Sequence, residues 1–234
     1  MPALQWLLQG DAVTQATALL LLAMSVASWV VICWKLYLGQ RARADVPRAA
    51  AAFWQTRHLA DAPVRVAGFD RAGLLLPLVQ AALQASARPG GVAAAASTLP
   101  ALADQGSPEV RLTRALRVAL HGVLARLQWG QVLLATVGST APFVGLLGTV
   151  WGIHRALAVL AGSQSITIER LAGPVGEALV MTAAGLAVAI PAVLAYNGFG
   201  RSLTHIEAEL EGFARDLRAL LLGAAAPPAS PPPD

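Results

Sequence analysis

The chain has 234 residues, 56% of them hydrophobic and only 13% charged, and its mean hydropathy is +0.59. A soluble domain carries about 25% charged residues, so the composition excludes an ordinary soluble domain. The net charge of +4 does not indicate nucleic acid, because the basic residues, nearly all Arg, are spread along helical segments without a DNA- or RNA-binding motif.

Residues 1–11 hold no Lys or Arg. They lack the positive n-region of a secretory signal, and no small-residue cleavage pattern follows. The first apolar run, residues 12–34, is therefore expected to be retained as a transmembrane helix, with residues 1–11 periplasmic. It meets the length of about 20 apolar residues that a bilayer requires. Cys33 is the one cysteine. It excludes an internal disulfide framework and a Cys-rich zinc site, and inside an apolar run it reads as a buried small hydrophobic residue.

Residues 35–128 form a basic loop. They hold twelve of the seventeen basic residues and five acids: Asp45, Asp61, Asp70, Asp104 and Glu109. The positive-inside rule places this loop in the cytoplasm. Trp34, Tyr37 and Trp129 fall at the expected inner interface, where such rings anchor. The loop reads as helical, with apolar residues at helical spacing and few β-branched ones. Ser107-Pro108-Glu109 carries the signature of a helix start. From there to Leu160 only Pro142 interrupts the pattern, which predicts one long helix from the cytoplasm into the membrane.

The second span is predicted at residues 129–160, a periplasmic turn at 161–170, and the third span at 171–197. Residues 198–223 continue as a cytoplasmic helix with an apolar stripe of Leu203, Ile206, Leu210, Phe213, Leu217 and Leu220. Residues 224–234 are Pro-rich and expected to be disordered. There is no internal repeat. The fold class is thus an all-α membrane protein with three transmembrane helices. The second and third extend into the cytoplasm as long helices, and the whole forms an oligomeric bundle around a central pore.

Two stripes of small residues support the bundle. Span two carries Gly138, Pro142, Gly145, Thr149 and Gly152 at spacings of four and three. Span three repeats that spacing with Ala178, Thr182, Gly185, Ala189 and Ala192. Small residues let membrane helices approach closely. Packing inside one subunit explains part of this, and two stripes in one hairpin also suggest packing against further copies. Pro142 and Pro191 each remove an i→i−4 bond and are expected to kink their spans.

Glu177 is the one charge in "GEALVMTAAGLAVAIPAVLAY". A charge near the bilayer centre costs at least ~2.5–3.5 kcal/mol. A carboxyl group has a neutral and an ionised form, so one placed in lipid reads as a proton relay. The plainer alternative is a carboxylate near the outer interface that snorkels to water or caps a helix. With the turn at Ser163, Glu177 and Thr149 each lie ~20 Å from it at 1.5 Å per residue, which predicts the same depth. Thr182 lies about a turn and a half deeper. One carboxyl and two hydroxyls would then make a sparse polar track, although a Thr by itself often only bonds its own helix.

"STAPFVGLLGTVWGI" and "AGPVGEALVMTAAGLAVAIPAVLAYN" closely resemble the ExbB/TolQ family, relatives of the flagellar stator subunit MotA. The likeness covers about 60 residues, and the three-span layout agrees with it. The resemblance implies an inner-membrane proton-channel subunit, most like ExbB, with H+ as the transported ion and no cofactor or metal. It implies a homopentamer around the helices of two ExbD-like subunits, and a TonB-like protein energised for import of siderophores and vitamin B12. The family's glutamate and its two threonines fall on Glu177, Thr149 and Thr182. The family's proton-carrying aspartate belongs to the ExbD-like partner. Ser139 and Phe143 lean towards ExbB, where TolQ-like chains more often carry Thr and Tyr. A TolQ-like role in the Tol-Pal system stays open.

Two further classes are weighed against this. A passive scaffold would use Glu177 only as a hydrogen-bonding group between subunits. For an enzyme there is no catalytic constellation: His58, His121, His154 and His205 are scattered, and the glycines of "GLLGTVWG" lie at packing spacing inside a span. Arg201 reads as an inner-interface anchor that could meet an anionic lipid headgroup.

Overall fold

Every described segment is dominated by helix, and each helix is explained by its apolar pattern and its ends. The computed structural model describes residues 11–87, 107–161 and 168–224. Helix α1 is Ala12–Trp54, followed by a short 3-10 turn at Leu59–Asp61, α2 at Ala62–Phe69 and α3 at Leu76–Ser86. Helix α4 is Pro108–Gln128, α5 is Gln131–Ala161 and α6 is Ile168–Ala224. No strand occurs among the described residues. Three stretches are long and apolar enough to cross a membrane: α1, α4 with α5, and α6. The tail beyond Ala224, residues 1–10 and most of the turn at 161–170 lie outside the described residues.

The chain divides into two units. One comprises Met1–Leu36 with Gly130–Arg201; the other comprises Tyr37–Trp129 with Ser202–Asp234. In the first unit the core is Leu21, Val31 and Ile32 of α1, Leu134, Val137 and Ala141 of α5, and Met181, Ala189 and Ala192 of α6. Its outward side chains are also apolar. Leu19, Leu22, Val26 and Val30 of α1 and Leu146, Leu147 and Val150 of α5 are exposed. A helix that is apolar all round suits lipid, where the backbone must satisfy itself internally. Cys33 differs from its expected burial: it is exposed on α1. Its position falls on the outward side, so its environment is set by whatever surrounds the unit.

The second unit has a core of another kind, drawn from five helices. Val46, Ala49 and Phe53 of α1, Val66 of α2, Leu78 and Val79 of α3, Leu116 and Leu124 of α4, and Leu210 and Leu217 of α6 are buried together. The Phe53 and Phe213 rings meet edge to face at 5.2 Å, an arrangement favoured by the ring quadrupoles. The stripe on α6 is seen with one change. Ile206, Leu210, Phe213, Leu217 and Leu221 are buried, while Leu220 is exposed. The seven-residue step from Leu210 through Leu217 drifts on a 3.6-residue helix, so Leu221 takes the inner place.

Two details separate the structure from a plain helical loop. Asp70 is buried, and its carboxylate accepts the backbone N–H groups of Leu74, Leu75 and Leu76 at 2.9, 2.8 and 2.7 Å. These are donors at the start of α3, which helix geometry leaves unpaired. Gly73 turns the chain there with φ +64. The second detail is a break at Trp129–Gly130, where one unbroken helix is expected from the sequence. Gly130 has φ +78, and a Cβ there would stand 2.7 Å from Val31 Cγ1. Only glycine reaches that backbone region without strain, so the break is set by this residue and not by Pro142. Helix α5 continues through Pro142 and α6 through Pro191. At the other end of α4, the Ser107 hydroxyl accepts the Val110 N–H at 3.4 Å, with Pro108 in the first turn, which is the cap expected from the sequence.

Candidate functional site

The site lies on α5 and α6, which run antiparallel within the first unit. Their separation is set by small residues. A Cβ on Gly145 would stand 2.7 Å from the Met181 carbonyl oxygen, and one on Gly185 would stand 2.6 Å from the Ala141 carbonyl oxygen. Gly152 faces Ala178, and Gly138 faces Val193. Ala178 and Ala189 are buried, whereas Pro142 and Pro191 are half-buried. The two stripes therefore face each other inside one chain, and this contact occupies the surfaces that also suggested packing between copies. Gly148 was not in the predicted stripe, yet it is buried and a Cβ there would meet the Met181 side chain at 3.0 Å. Its spacing of three from Gly145 was the available signal.

This approach brings two hydroxyls into contact. Thr149 is buried, and its Oγ1 lies 3.1 Å from the Gly145 carbonyl oxygen and 3.2 Å from the Ala178 carbonyl oxygen. It also contacts Thr182 Oγ1, and either hydroxyl could donate. The Thr149 proton thus has acceptors on both helices.

Glu177 is placed differently from expectation. The observed contacts set Thr149 level with Thr182 and put Gly152 beside Ala178. Equal counting from Ser163 put Thr149 level with Glu177, five residues before Thr182 on α6. The register is decided by which small residues nest, and that overrides symmetric counting. Glu177 precedes Ala178, whose carbonyl Thr149 reaches, so the carboxylate and the hydroxyl pair occupy neighbouring turns. The Glu177 side chain is exposed within the single chain and makes no hydrogen bond or ion pair with the described residues. Its neighbours Leu179 and Val180 are exposed and apolar. An ionisable group on an apolar helix face is costly in lipid without a partner.

One contact was not foreseen. Trp151 Nε1 donates to Asp11 Oδ2 at 2.9 Å, which fastens the start of α1 to α5. His154, expected near the outer end of span two, is exposed, with its ring 5.7 Å from that of Trp151.

Comparison with known proteins bears on this geometry. The model of the MotA/TolQ/ExbB proton channel family matches residues 77–212, which include Thr149, Glu177 and Thr182. The biopolymer transport protein ExbB of Xanthomonas campestris pv. campestris is 40% identical over 209 residues, covering 89% of this chain and 81% of that protein. The protein of the same name from Neisseria meningitidis is 38% identical over 218 residues, covering 91% of this chain and 94% of that one. The Tol-Pal system protein TolQ of Pseudomonas aeruginosa is 33% identical over 218 residues, covering 92% and 91%.

Proposed function

The chain belongs to the MotA/TolQ/ExbB proton channel family, and from that premise we propose that it is a proton-conducting subunit of an ExbB-type motor in the bacterial inner membrane. In this role it couples proton-motive force, with an ExbD-like and a TonB-like partner, to import through the outer membrane. The functional form is a homopentamer that encloses two ExbD-like helices. Residues 35–128 and the C-terminus lie in the cytoplasm, and the N-terminus lies in the periplasm.

The observation that carries this proposal is the hydroxyl pair beside the open carboxylate. Thr149 and Thr182 touch, the Ala178 carbonyl links them to the turn that holds Glu177, and Glu177 faces away from its own chain. Each hydroxyl both donates and accepts, so a proton passed along the pair leaves both hydroxyls neutral with their hydrogen bond reversed, and each turns about its C–O bond before the next transfer. Glu177 supplies the group whose charge changes. Neutral, it tolerates an apolar surrounding; ionised, it requires water or a polar partner. A partner's acidic residue opposite Glu177 would complete the path.

Replacing Glu177 by Gln tests this directly. Energised uptake in cells should be lost while the purified oligomer keeps its size. Gln keeps the shape and the hydrogen bonding, so a passive scaffold would tolerate it, and full uptake by a Glu177→Gln variant would sink the relay role. A second function is favoured by the TolQ relative at 33% identity: the same relay would serve a Tol-Pal motor. Co-purification separates the two, with ExbD- and TonB-like chains expected and TolR- and TolA-like chains supporting the alternative.

A further inference from the structure

In the second unit, α4 and α6 border a cleft of about 370 Å³. Three arginines line it from two helices: Arg117 of α4, and Arg215 and Arg218 of α6. His121 adds an imidazole beside Arg117, and Leu116 and Ala214, both buried, form an apolar floor. Two carboxylates oppose them. Glu109 pairs with Arg218, and Glu211 lines the cleft.

Arginines along a helix ordinarily form a solvated face. Here the donors are unequally spent. Arg218 is held at its far end by Glu109, and its Nε is shielded from solvent and so closed to a ligand as well. Arg117 makes no hydrogen bond or ion pair with the described residues, and Arg215 Nε reaches only the Glu211 carbonyl, at 3.4 Å. Like charges are thus gathered on one cavity, with the donors of Arg117 and Arg215 largely unspent.

We propose that this cleft binds a phosphate-bearing anion, a phosphomonoester whose organic part lies on the Leu116–Ala214 floor. A guanidinium matches phosphate or carboxylate with two parallel bonds. Three of them arriving from two helices suit a tetrahedral group with three free oxygens better than a planar carboxylate with two. The volume lies in the range of pockets that hold small organic molecules, so the ligand is larger than a bare phosphate ion. The site shares no residue with the Glu177 relay and does not depend on it.

The test uses the purified full chain in neutral detergent at constant ionic strength. Inorganic phosphate and glycerol phosphate are titrated and followed by phosphorus NMR line broadening. Both should saturate, with glycerol phosphate the tighter. Arg117→Gln should weaken binding about tenfold, the loss of one charged hydrogen bond. Glu211→Gln removes the opposing carboxylate and should tighten it. Both side chains are exposed, so both variants should fold. Lipid nanodiscs then distinguish the source of the phosphate. Loss of glycerol phosphate binding when phosphatidic acid is added to phosphatidylcholine assigns a lipid headgroup, and retention in both assigns a soluble ester. The proposal is overturned by broadening that does not saturate, or by equal binding in the parent and both variants. It is also overturned if Arg117→Gln changes the oligomer size while phosphate never saturates, which would make the cleft an interface between copies.

Discussion

Thr149 has one hydroxyl proton and acceptors on two helices within reach. Exchanging the hydroxyl for a methyl group separates its structural from its conductive role. Thr149→Val keeps the shape and removes one hydrogen bond, which costs about 1 kcal/mol, and Thr182 can still bond its own helix. Thermal stability should therefore change little. Proton flux into proteoliposomes that contain the assembled complex should fall about fivefold or more, as expected for one lost hydrogen bond along the path. Thr149→Ser should restore it. Flux by the Val variant equal to the parent's would remove Thr149 from the relay. Asp70 is the opposite case, a buried polar group with a purely structural task. Asp70→Ala leaves three backbone N–H groups without their acceptor, at about 1–3 kcal/mol for each that stays buried. Urea unfolding should show a loss of about 3 kcal/mol or more, with Asp70→Asn intermediate because one acceptor oxygen remains. A midpoint unchanged by Asp70→Ala would show that water replaces the carboxylate there.

At Gly145 and Gly185 helices α5 and α6 meet backbone to backbone, so their contact there has little room to adjust. A methyl group on Gly185 would lie 2.6 Å from a carbonyl oxygen and 3.0 Å from Gly145 Cα. The helices must part to admit it. Gly185→Ala should cost about 1–3 kcal/mol, as overpacking does, and should separate the Thr149 and Thr182 hydroxyls. Gly198, on the same helix, has open space around it: a Cβ there would meet nothing within 4 Å. Gly198→Ala should therefore be neutral or stabilise by roughly 0.5–1 kcal/mol. Parallel thermal melts in detergent check both, and equal melting of the two variants would refute the close approach. The stripes that make this contact were legible from spacing alone, as were the three apolar runs and the cap at Ser107, because each is a local periodic pattern. The register was not legible. Which turn of α5 faces which turn of α6 depends on how Gly145, Gly152 and Gly185 nest in three dimensions, and this moved Thr149 from the level of Glu177 to that of Thr182. The exposure of Glu177 was hidden for the same reason. The Asp70 cap escaped notice because its donors lie four to six residues on, in a loop with no repeating pattern. The break at Gly130 rests on one backbone angle that helical periodicity cannot report.

Charge is divided unequally over the whole molecule. The unit of residues 37–129 and 202–234 holds thirteen of the seventeen basic residues and ten of the thirteen acidic ones. The other unit holds four and three, and its outward side chains are large and apolar. Only the second composition is compatible with a lipid surround, where each charge costs several kcal/mol. The proposed function accordingly sets the charged unit in water, and the positive-inside rule predicts the cytoplasmic side for its basic excess. Labelling with a membrane-impermeant maleimide tests this orientation, after Cys33→Ser removes the native thiol. In intact spheroplasts Ser165→Cys, between α5 and α6, should label, while Asp216→Cys, exposed on α6, should label only after permeabilisation. Labelling of Asp216→Cys in intact spheroplasts would invert the orientation. Glu177 would then meet the proton gradient from the opposite side, and the cytoplasmic placement proposed for residues 35–128 would fail with it.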